Sequence, residues 1–435
     1  AGDYTLRAQL DGKDAVAKAK QTLIDIGNGD NSSISIVTEY DDILKDDSIN
    51  CVMELMGGVT NAKDIVFAAI AAGKHVITAN KALLANFLPE ILLLLSKNPS
   101  VKLCFEAAVC GGIPVIHSLC SDYYADSINK VMGIMNGTTN FMLSKMETEG
   151  ASYAEALSEA QSLGFAEADP TADVEGLDVQ AKLSLLAKLC YGRNIDLSTV
   201  PTKGISSLTT TDFENMRSMN CTVKLVGCAA AIASSSLQEP DSVQIYVSPH
   251  AVPLSSPLAS VSGAGNIVVI SSKNMGESTM TGPGAGRYPT ANSVLSDLFR
   301  LSSGLAPPAF PLDEPLLAVT NDYSGAFYVR VTCVEEGDGN GGEGGKGGKG
   351  EGGDGGEGVV GIAQKHISTE LRTVAAAAGV ICSSISCNER QTNCLYMKTD
   401  VTRESNMQAF SKGLSKCKWI AGPPFYMPIL PASSV

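Results

Sequence analysis

At 435 residues the chain is longer than one ordinary domain, and we expect two or three domains. Hydrophobic residues make up 44% of it, which is enough for several cores, while a formal net charge of −14 disfavours nucleic acid and anionic membranes as partners. Apolar runs such as 91–95 are far too short to span a bilayer, so no membrane partner is expected.

Cysteine and histidine usage indicates the compartment and disfavours a zinc site. The twelve cysteines include no CxxC pair, and none of the four histidines is spaced as a metal-binding pair. The chain begins at Ala1 without a recognisable targeting signal. We therefore expect reduced thiols in a reducing compartment, the cytoplasm or, in a eukaryote, the plastid stroma.

Residues 50–105 alternate between strand and helix patterns. The predicted strands are Asn50–Met56, His75–Thr78 and Val101–Phe105, and the predicted helices are Asn61–Ala72 and Lys81–Ser96. Repeats of this length predict right-handed crossovers and a parallel sheet, which binds ligands at the carboxyl ends of its strands. Those ends hold Gly57, Gly58, the run from Thr78 through Asn80 to Lys81, and Glu106.

A second region covers roughly residues 130–320. The pattern predicts a strand at Lys130–Met135, a turn at Asn136–Asn140, helices near 153–163 and 176–190, strands near 243–248 and 266–271, and a helix at Thr290–Ser302 preceded by the glycine-rich loop Gly282–Gly286. No segment in this region is an obvious cover for both faces of its sheet.

The third region starts near Asp322 and predicts a βαββαβ order. Its predicted elements are a strand at Ala326–Val334, a helix at Ile362–Ala377, strands at 380–387 and 394–399, a helix at 403–415 and a strand near 425–430. Residues 337–358 are nearly all Gly, Glu, Lys and Asp, too polar to pack, and predict a disordered insertion.

The charged stretch Ala160–Lys182 carries the strongest chemical signal. Asp178 and Lys182 lie four residues apart on a helix that is apolar nearly all round. Such a pair can be an exposed surface pair, but a helix of this kind is normally buried, and buried charges are costly unless paired or used. We therefore favour a site that holds a small zwitterion and moves a proton.

Each of three further sequence features has both a structural and a functional interpretation. Lys81 is either a solvated surface lysine or a cation beside a cofactor or a substrate oxygen. The Gly282–Gly286 loop is either a plain turn or a place where backbone approaches an anion or a cofactor. The turn Glu106–Pro114 is more often a mere connection, although its carbonyls could coordinate a monovalent cation.

Taken together, the motifs resemble homoserine dehydrogenase over roughly residues 35–320. The matching pieces are Glu54 to Gly58, Thr78 to Lys81, Glu106 to Pro114, Gly133 to Asn140, Gly164 to Lys182 and Gly282 to Gly286. The tail from 326 resembles an ACT regulatory domain. The resemblance implies an α/β chain with three parts. These are a Rossmann-type NAD(P) domain (1–129), an α+β catalytic and dimerisation domain (130–321) whose 282–302 segment packs back on the nucleotide domain, and an ACT-like domain (322–435).

The resemblance also implies an activity. It is the NAD(P)-dependent interconversion of L-aspartate 4-semialdehyde and L-homoserine, in threonine, methionine and isoleucine biosynthesis. It implies a homodimer formed through the sheet, a small amino-acid substrate and an amino-acid effector at the ACT-like domain.

Residue roles follow from the matching positions. Lys182 would donate the proton to the aldehyde oxygen, Asp178 would hold the substrate hydroxyl and orient Lys182, and Lys81 would lie between nicotinamide and substrate. Glu167 and Asp173 would bind substrate. The cofactor would be NADP or NAD, lined by Gly57, Thr78, Asn80, Lys81, Gly164 and Gly286. Backbone carbonyls of Glu106, Val109, Gly111 and Ile113 would hold a sodium ion.

The chain departs from the family at its N-terminus. The family opens with a GxGxxG turn that cradles the pyrophosphate, and residues 1–34 contain no glycines at that spacing, so the first βα unit is predicted to be missing and the nucleotide domain incomplete. Two rival functions stay open: another small-substrate dehydrogenase, acting on aspartate or a dihydrodipicolinate-type imine, and a non-catalytic amino-acid-binding regulatory protein.

Overall fold

A computed structural model describes residues 6–9, 34–37, 39–232, 242–305, 316–320, 322–334, 357–388 and 391–431. The predicted disordered tract 337–358 lies outside these residues except for its last two positions, which begin a helix and not a flexible segment. Most of residues 1–34 also lies outside them. Within the described part, no helix is both long and apolar enough to cross a membrane.

The N-terminal region contains the predicted parallel strands. Its elements are β1 (Leu6–Gln9), β2 (Ile34–Val37), α1 (Asp41–Leu44), β3 (Cys51–Glu54), α2 (Thr60–Ala71), β4 (His75–Thr78), α3 (Lys81–Lys97) and β5 (Leu103–Cys104). Strands β3, β4 and β5 form a parallel sheet, and β1 and β2 form a separate parallel pair. Gly73, with φ of 75°, follows the end of α2 in the left-handed conformation that commonly terminates a helix.

The remaining strands form one mixed sheet of eleven described strands. The elements of its first part are α4 (Val115–Ser121), β6 (Ile128–Ile134), α5 (Gly137–Glu149), α6 (Tyr153–Ser162), α7 (Thr171–Val174), α8 (Leu177–Tyr191), α9 (Thr210–Ser218), β7 (Cys221–Ile232), β8 (Ser242–Pro253), β9 (Gly265–Ser272), β10 (Gly276–Pro283) and α10 (Arg287–Ser302). The order along the sheet begins β10-β9-β6-β7-β8. The sequence pattern missed helices α4, α5, α7 and α9 and strands β7 and β10.

The predicted turn at Asn136–Asn140 is wrong, because Asn136 starts a helix. Its side-chain oxygen accepts a hydrogen bond from Thr139 N at 2.8 Å and caps α5. Asn, Gly and Thr favour turns and helix N-caps alike, and only the packing of the residues that follow separates the two.

The central strands of the mixed sheet are buried on both faces within one chain. Almost every residue of β7 and β8 is buried. Helices α5, α8 and α9 pack against β7 on one side, and Leu258 in the 257–260 helical turn joins a small cluster with Val226 and Val252. Strand β10, in contrast, is largely exposed, and the expected dimer through this sheet stays a prediction.

The C-terminal region has the predicted βαββαβ order. Its elements are β11 (Ala318–Thr320), β12 (Ser324–Thr332), α11 (Glu357–Ala377), β13 (Cys382–Asn388), β14 (Gln391–Thr399), β15 (Thr402–Arg403), α12 (Glu404–Leu414) and β16 (Phe425–Ile429). Its strands continue the mixed sheet as β8-β16-β12-β14-β13, joined where Ile429 pairs with Ala251. An effector-binding role for this region stays a prediction.

Helix α10 returns to the parallel sheet. Val294 packs with Ile77, Cys104 and Ala107 in a buried cluster. The glycine-rich loop that precedes α10 is thereby held close to the turn after β5.

Candidate active site

Helix α8 carries the two residues with the strongest sequence signal. It begins after Gly176, whose φ of 80° turns the chain into the helix. Asp178 and Lys182 are only 6% and 8% exposed, so they do not form a surface pair. Their charges are joined at 2.8 Å between Lys182 Nζ and Asp178 Oδ2.

Lys81, from the start of α3, joins the same carboxylate. Its Nζ lies 2.8 Å from Asp178 Oδ1, so one carboxylate bridges two ammonium groups from different regions of the chain. The Lys81 side chain is 41% exposed, whereas Asp178 is buried. Lys81 therefore forms the solvent-facing side of the cluster, where a ligand can enter.

The two residues that follow β6 supply polar groups that the sequence pattern did not identify. Lys182 Nζ donates to the carbonyl of Met135 at 2.7 Å, and Asn136 Nδ2 donates to Asp178 Oδ2 at 2.9 Å. The amide of Asn136 also reaches Asp173 Oδ1 at 2.7 Å. The position of Asn136 directly after a buried strand was the signal that could have identified it.

The electrostatics of the pair keep it ionised. Burial by itself would raise the pKa of Asp178, but the charges of Lys182 and Lys81 outweigh burial and hold that pKa well below its usual value. Burial opposes the charge on Lys182, yet the Asp178 carboxylate holds the pKa of the amine above its usual value. In the free protein Lys182 is thus an ammonium that can donate a proton.

The other predicted substrate residues differ in setting. Asp173 lies beside Asn136, and burial raises the pKa of its carboxyl, so it is the more easily protonated of the two neighbouring acids. Glu167 is exposed, and its carboxylate has no hydrogen bond or ion pair within the described residues. Gly164, at φ of 76°, is also exposed on the loop that leads to Glu167.

The carboxyl ends of β3 and β4 are braced by side chains. Buried Glu54 accepts from Thr78 Oγ1 at 2.6 Å and from Met56 N at 2.8 Å. Asn80 caps α3 through its oxygen and donates from Nδ2 to Gly58 O at 2.7 Å. Thr78 and Asn80 thus hold the open Gly57–Gly58 turn in place, next to Lys81 at the start of α3.

A second buried cluster supports the turn after β5. The Glu106 carboxylate accepts from the backbone N–H groups of Ile116 and His117, and the His117 ring lies 2.8 Å from Asp297 Oδ1 on α10. Asp297 Oδ2 in turn accepts from Glu106 N at 2.9 Å. Burial raises the pKa of Glu106 to about 7.

The glycine-rich loop packs against this turn. Gly112 N donates to Pro283 O at 2.9 Å, and Ser293 Oγ donates to Gly111 O at 2.6 Å. A Cβ on Gly284 would lie 2.0 Å from the side-chain nitrogen of Asn266, so only glycine fits there. Gly286, with φ of 123°, then opens α10 on the exposed side.

No group of three or more His, Cys, Asp or Glu side chains in the described part is arranged to hold a metal ion. The predicted sodium site uses backbone carbonyls and not side chains, and it stays a prediction.

Comparison with known proteins gives consistent matches. A sequence profile described as "Homoserine dehydrogenase" matches residues 114–299, and one described as "Homoserine dehydrogenase, NAD binding domain" matches residues 15–106. The second match includes residues 15–34, although no GxGxxG turn is recognisable there.

The chain is 37% identical over 302 residues to a homoserine dehydrogenase of Synechocystis sp., covering 69% of this chain and 68% of that protein. It is 43% identical over 263 residues to the Bacillus subtilis homoserine dehydrogenase, covering 60% of this chain and 59% of the relative. Its structure resembles that of a homoserine dehydrogenase from Thiobacillus denitrificans, with a TM-score of 0.81, 29% identity, and coverage of 98% of this chain and 90% of that one. The match thus spans about three fifths of the length of several curated relatives.

Proposed function

The chain belongs to the homoserine dehydrogenase family, and from this premise we propose that it interconverts L-aspartate 4-semialdehyde and L-homoserine with NADP or NAD as cofactor. The observation that carries the proposal is the buried Lys81–Asp178–Lys182 cluster. It combines a proton donor, a carboxylate and an open cationic side at the carboxyl edge of a parallel sheet.

The chemistry needs such a cluster. The bound nicotinamide supplies the hydride, and the aldehyde oxygen becomes negative as the reduction proceeds. Lys182 is placed to protonate that oxygen, because its ammonium is stabilised by Asp178 and fixed by the Met135 carbonyl. Asp178, oriented by Asn136, holds the amine in place.

Substrate binding is assigned to the rim of the cluster. The carboxylate of Glu167 is exposed and unpaired within the described residues, which suits an acceptor for the substrate amino group. Asp173 shares the Asn136 amide with Asp178 and would contact the substrate from the opposite side. These two roles, like those of the other site residues, are proposals.

The residues present fit a nicotinamide cofactor on one side of the cluster. Gly57 and Gly58 have no atoms within 4 Å of the space where a side chain would lie, so a ligand can approach their backbone. Gly286 is exposed at the start of α10, and Lys81 lies at the start of α3. We assign Gly57, Thr78, Asn80, Lys81, Gly164 and Gly286 to cofactor binding, with Thr78 and Asn80 acting by shaping the Gly57–Gly58 turn.

Sodium is proposed for the turn after β5. Two of its four candidate carbonyls already accept hydrogen bonds, Gly111 O from Ser293 and Ile113 O from Val115 N. Each carbonyl keeps a second lone pair, and together with Glu106 O and Val109 O these are the hard oxygen donors that such a cation prefers. A bound ion would brace the turn that packs on the glycine-rich loop.

We further propose a homodimer, an amino-acid effector at the C-terminal region, and a reducing compartment. The edge strand β10 pairs only with β9 in the described chain and offers an open edge to a second subunit. Sedimentation at micromolar concentration that finds only monomer would contradict the dimer.

All twelve cysteines are free thiols, which supports a reducing compartment.

An assay of NADPH oxidation with L-aspartate 4-semialdehyde tests the activity. We expect turnover with this substrate and little with aspartate or a dihydrodipicolinate-type imine. Calorimetric titration with NADPH tests the other rival function, because a non-catalytic amino-acid-binding protein would neither bind the cofactor nor oxidise it. Either failure would reject the proposed activity.

A further inference from the structure

The loop formed by residues 201–205 packs directly against the turn that joins α7 to α8. Ile205 N donates to Val174 O at 2.8 Å. A Cβ on Gly204 would lie 2.3 Å from Val174 O, and one on Gly176 would lie 3.1 Å from Thr202 Cγ2. The two backbones are therefore in close contact along residues 174–176.

This turn lies between the two carboxylates of the candidate site. Asp173 precedes it by one residue and Asp178 follows it by two. Both carboxylates share the single amide of Asn136, with bonds of 2.7 and 2.9 Å. A displacement of the turn would consequently move both acids relative to that amide and change the geometry around Lys182.

The opposite side of the loop is held by the C-terminal region. Lys203 N donates to Val247 O in β8 at 2.8 Å, while its side chain extends to α12 and β16. Lys203 Nζ lies 3.5 Å from Glu404 Oε1 and 3.8 Å from the centre of the Tyr426 ring. Tyr426 also donates from its hydroxyl to Glu404 Oε1 at 2.8 Å.

Glu404 is an unusual anchor because it is almost completely buried. It is 4% exposed, and its second carboxylate oxygen, Oε2, has no hydrogen-bond partner among the residues that the structure describes. A buried carboxylate is costly unless a cation compensates it, and Lys203 is the cation that faces it. The contact therefore fixes the position of the Lys203 side chain and, through it, the loop.

We infer that Lys203 is a positioning residue for the catalytic carboxylates, and that Glu404 of the C-terminal region is its anchor. The inference rests on the proposed dehydrogenase activity, which supplies its readout. Lys203 touches neither Asp178 nor Lys182 in the structure; it acts through the 201–205 loop and the turn at 174–176. The C-terminal region thus contributes one side chain to the support of a site built by the rest of the chain.

A loosened loop should affect catalysis more than folding. Lys203 is partly exposed, so Lys203→Met keeps most of the packing while removing the charge. Misplacement of reacting groups by about 1 Å lowers rates by about a hundredfold, and a smaller shift should lower kcat by about tenfold. KM for the aldehyde should rise, and KM for NADPH should stay unchanged because the hydrogen bonds of the loop run to Val174 and Val247 and not to the Gly57–Gly58 turn.

The experiment compares three single variants and one double variant of the full chain. Lys203→Met and Glu404→Gln should each lower kcat and raise the aldehyde KM, and the double variant should resemble Lys203→Met because both act through one contact. Arg403→Met is the matched control: it precedes Glu404 directly but pairs with Asp322 at the surface, and it should behave like wild type. Urea unfolding confirms that each variant is folded at the assay temperature.

The outcomes separate this inference from the proposed function. Unchanged kinetics of Lys203→Met beside an active wild type would overturn only the inference. Additive losses in the double variant, or an equal loss in Arg403→Met, would also overturn it. An inactive wild type would reject the proposed function and this inference together.

Discussion

Two buried acid–base clusters, one around Glu106 and one around Asp178, differ in the kind of group that donates hydrogen bonds to their carboxylates. The Glu106 carboxylate accepts hydrogen bonds from two backbone N–H groups. Asp297 beside it contacts the His117 ring and accepts a hydrogen bond from a backbone N–H. Around Asp178, by contrast, the partners are all side chains, namely the ammonium groups of Lys81 and Lys182 and the amide of Asn136, and the Lys81 side chain is 41% exposed.

The difference separates support from chemistry. A carboxylate enclosed by backbone donors cannot exchange partners without breaking the fold, so the Glu106 cluster fastens α10 to the turn after β5. The Asp178 cluster can exchange one lysine contact for a substrate oxygen while the other contact persists. Burial and ionisable residue types alone would not distinguish the two clusters.

Removal of the proton donor should produce the largest effect. Lys182→Ala should lower kcat by at least about a hundredfold, the usual scale for a lost general acid. The fold should survive, because Lys81 still compensates Asp178. Lys188→Ala serves as the control, since it removes another buried lysine from α8 whose Nζ donates to Gly192 O, and it should retain turnover. Near-normal kcat for Lys182→Ala, measured by NADPH oxidation, would end the assignment.

The close packing of the glycine-rich loop can be tested at Gly284. In Gly284→Ala the new methyl group would lie 2.0–2.4 Å from three atoms of the fully buried Asn266 side chain. Overpacking of this kind should cost about 2–3 kcal/mol of unfolding free energy. Gly282→Ala, whose methyl would meet Ile113 Cγ1 at 3.2 Å, should cost clearly less. Equal urea midpoints for the two variants would show that the loop adapts freely.

Weakening the Glu106 cluster should lower the stability of the protein and leave its turnover nearly unchanged. Asp297→Asn keeps the shape but weakens the bonds to His117 and to Glu106 N, and should lower the unfolding free energy by about 1–2 kcal/mol. The kcat at saturating cofactor should change little. Asp178→Asn should, in contrast, lower kcat strongly. If Asp297→Asn loses turnover as severely as Asp178→Asn, the two clusters are not functionally distinct.

The smallest expected effect is that of pH on the stability difference between the wild type and Asp178→Asn. Lys182 has a pKa raised above 10.5, so its contribution to stability is present below that pH and is lost only as pH rises through the folded value. Asp178 has a pKa lowered below 3.8, so its contribution is present above 3.8 and is lost as pH falls through the folded value. Between about pH 6 and pH 9 the stability difference between wild type and Asp178→Asn should therefore stay constant. Chemical unfolding at both pH values measures it, and a marked change would mean that one of the pair titrates in that window.

Much of the local structure was predictable because its signals are local. Periodicity predicted the parallel strands β3 and β4, helix α3 and the βαββαβ order. The predicted ends of these elements differ from the observed ends by a few residues. Helix α5 was missed because its Asn-Gly-Thr start resembles a turn. Strand β7 was missed because a strand buried on both faces lacks the polar and apolar alternation that marks a half-buried one.

The sequence alone determined the pairing of Asp178 with Lys182, since a spacing of four residues places both on one face of any helix, and an apolar helix must be buried. Only the tertiary structure decided what surrounds that pair. Lys81 and Asn136 reach Asp178 from distant positions in the chain, and Glu404 meets Lys203 across 201 residues. Such contacts depend on how sheets and helices close on one another, and no periodicity or spacing within a short window records that closure.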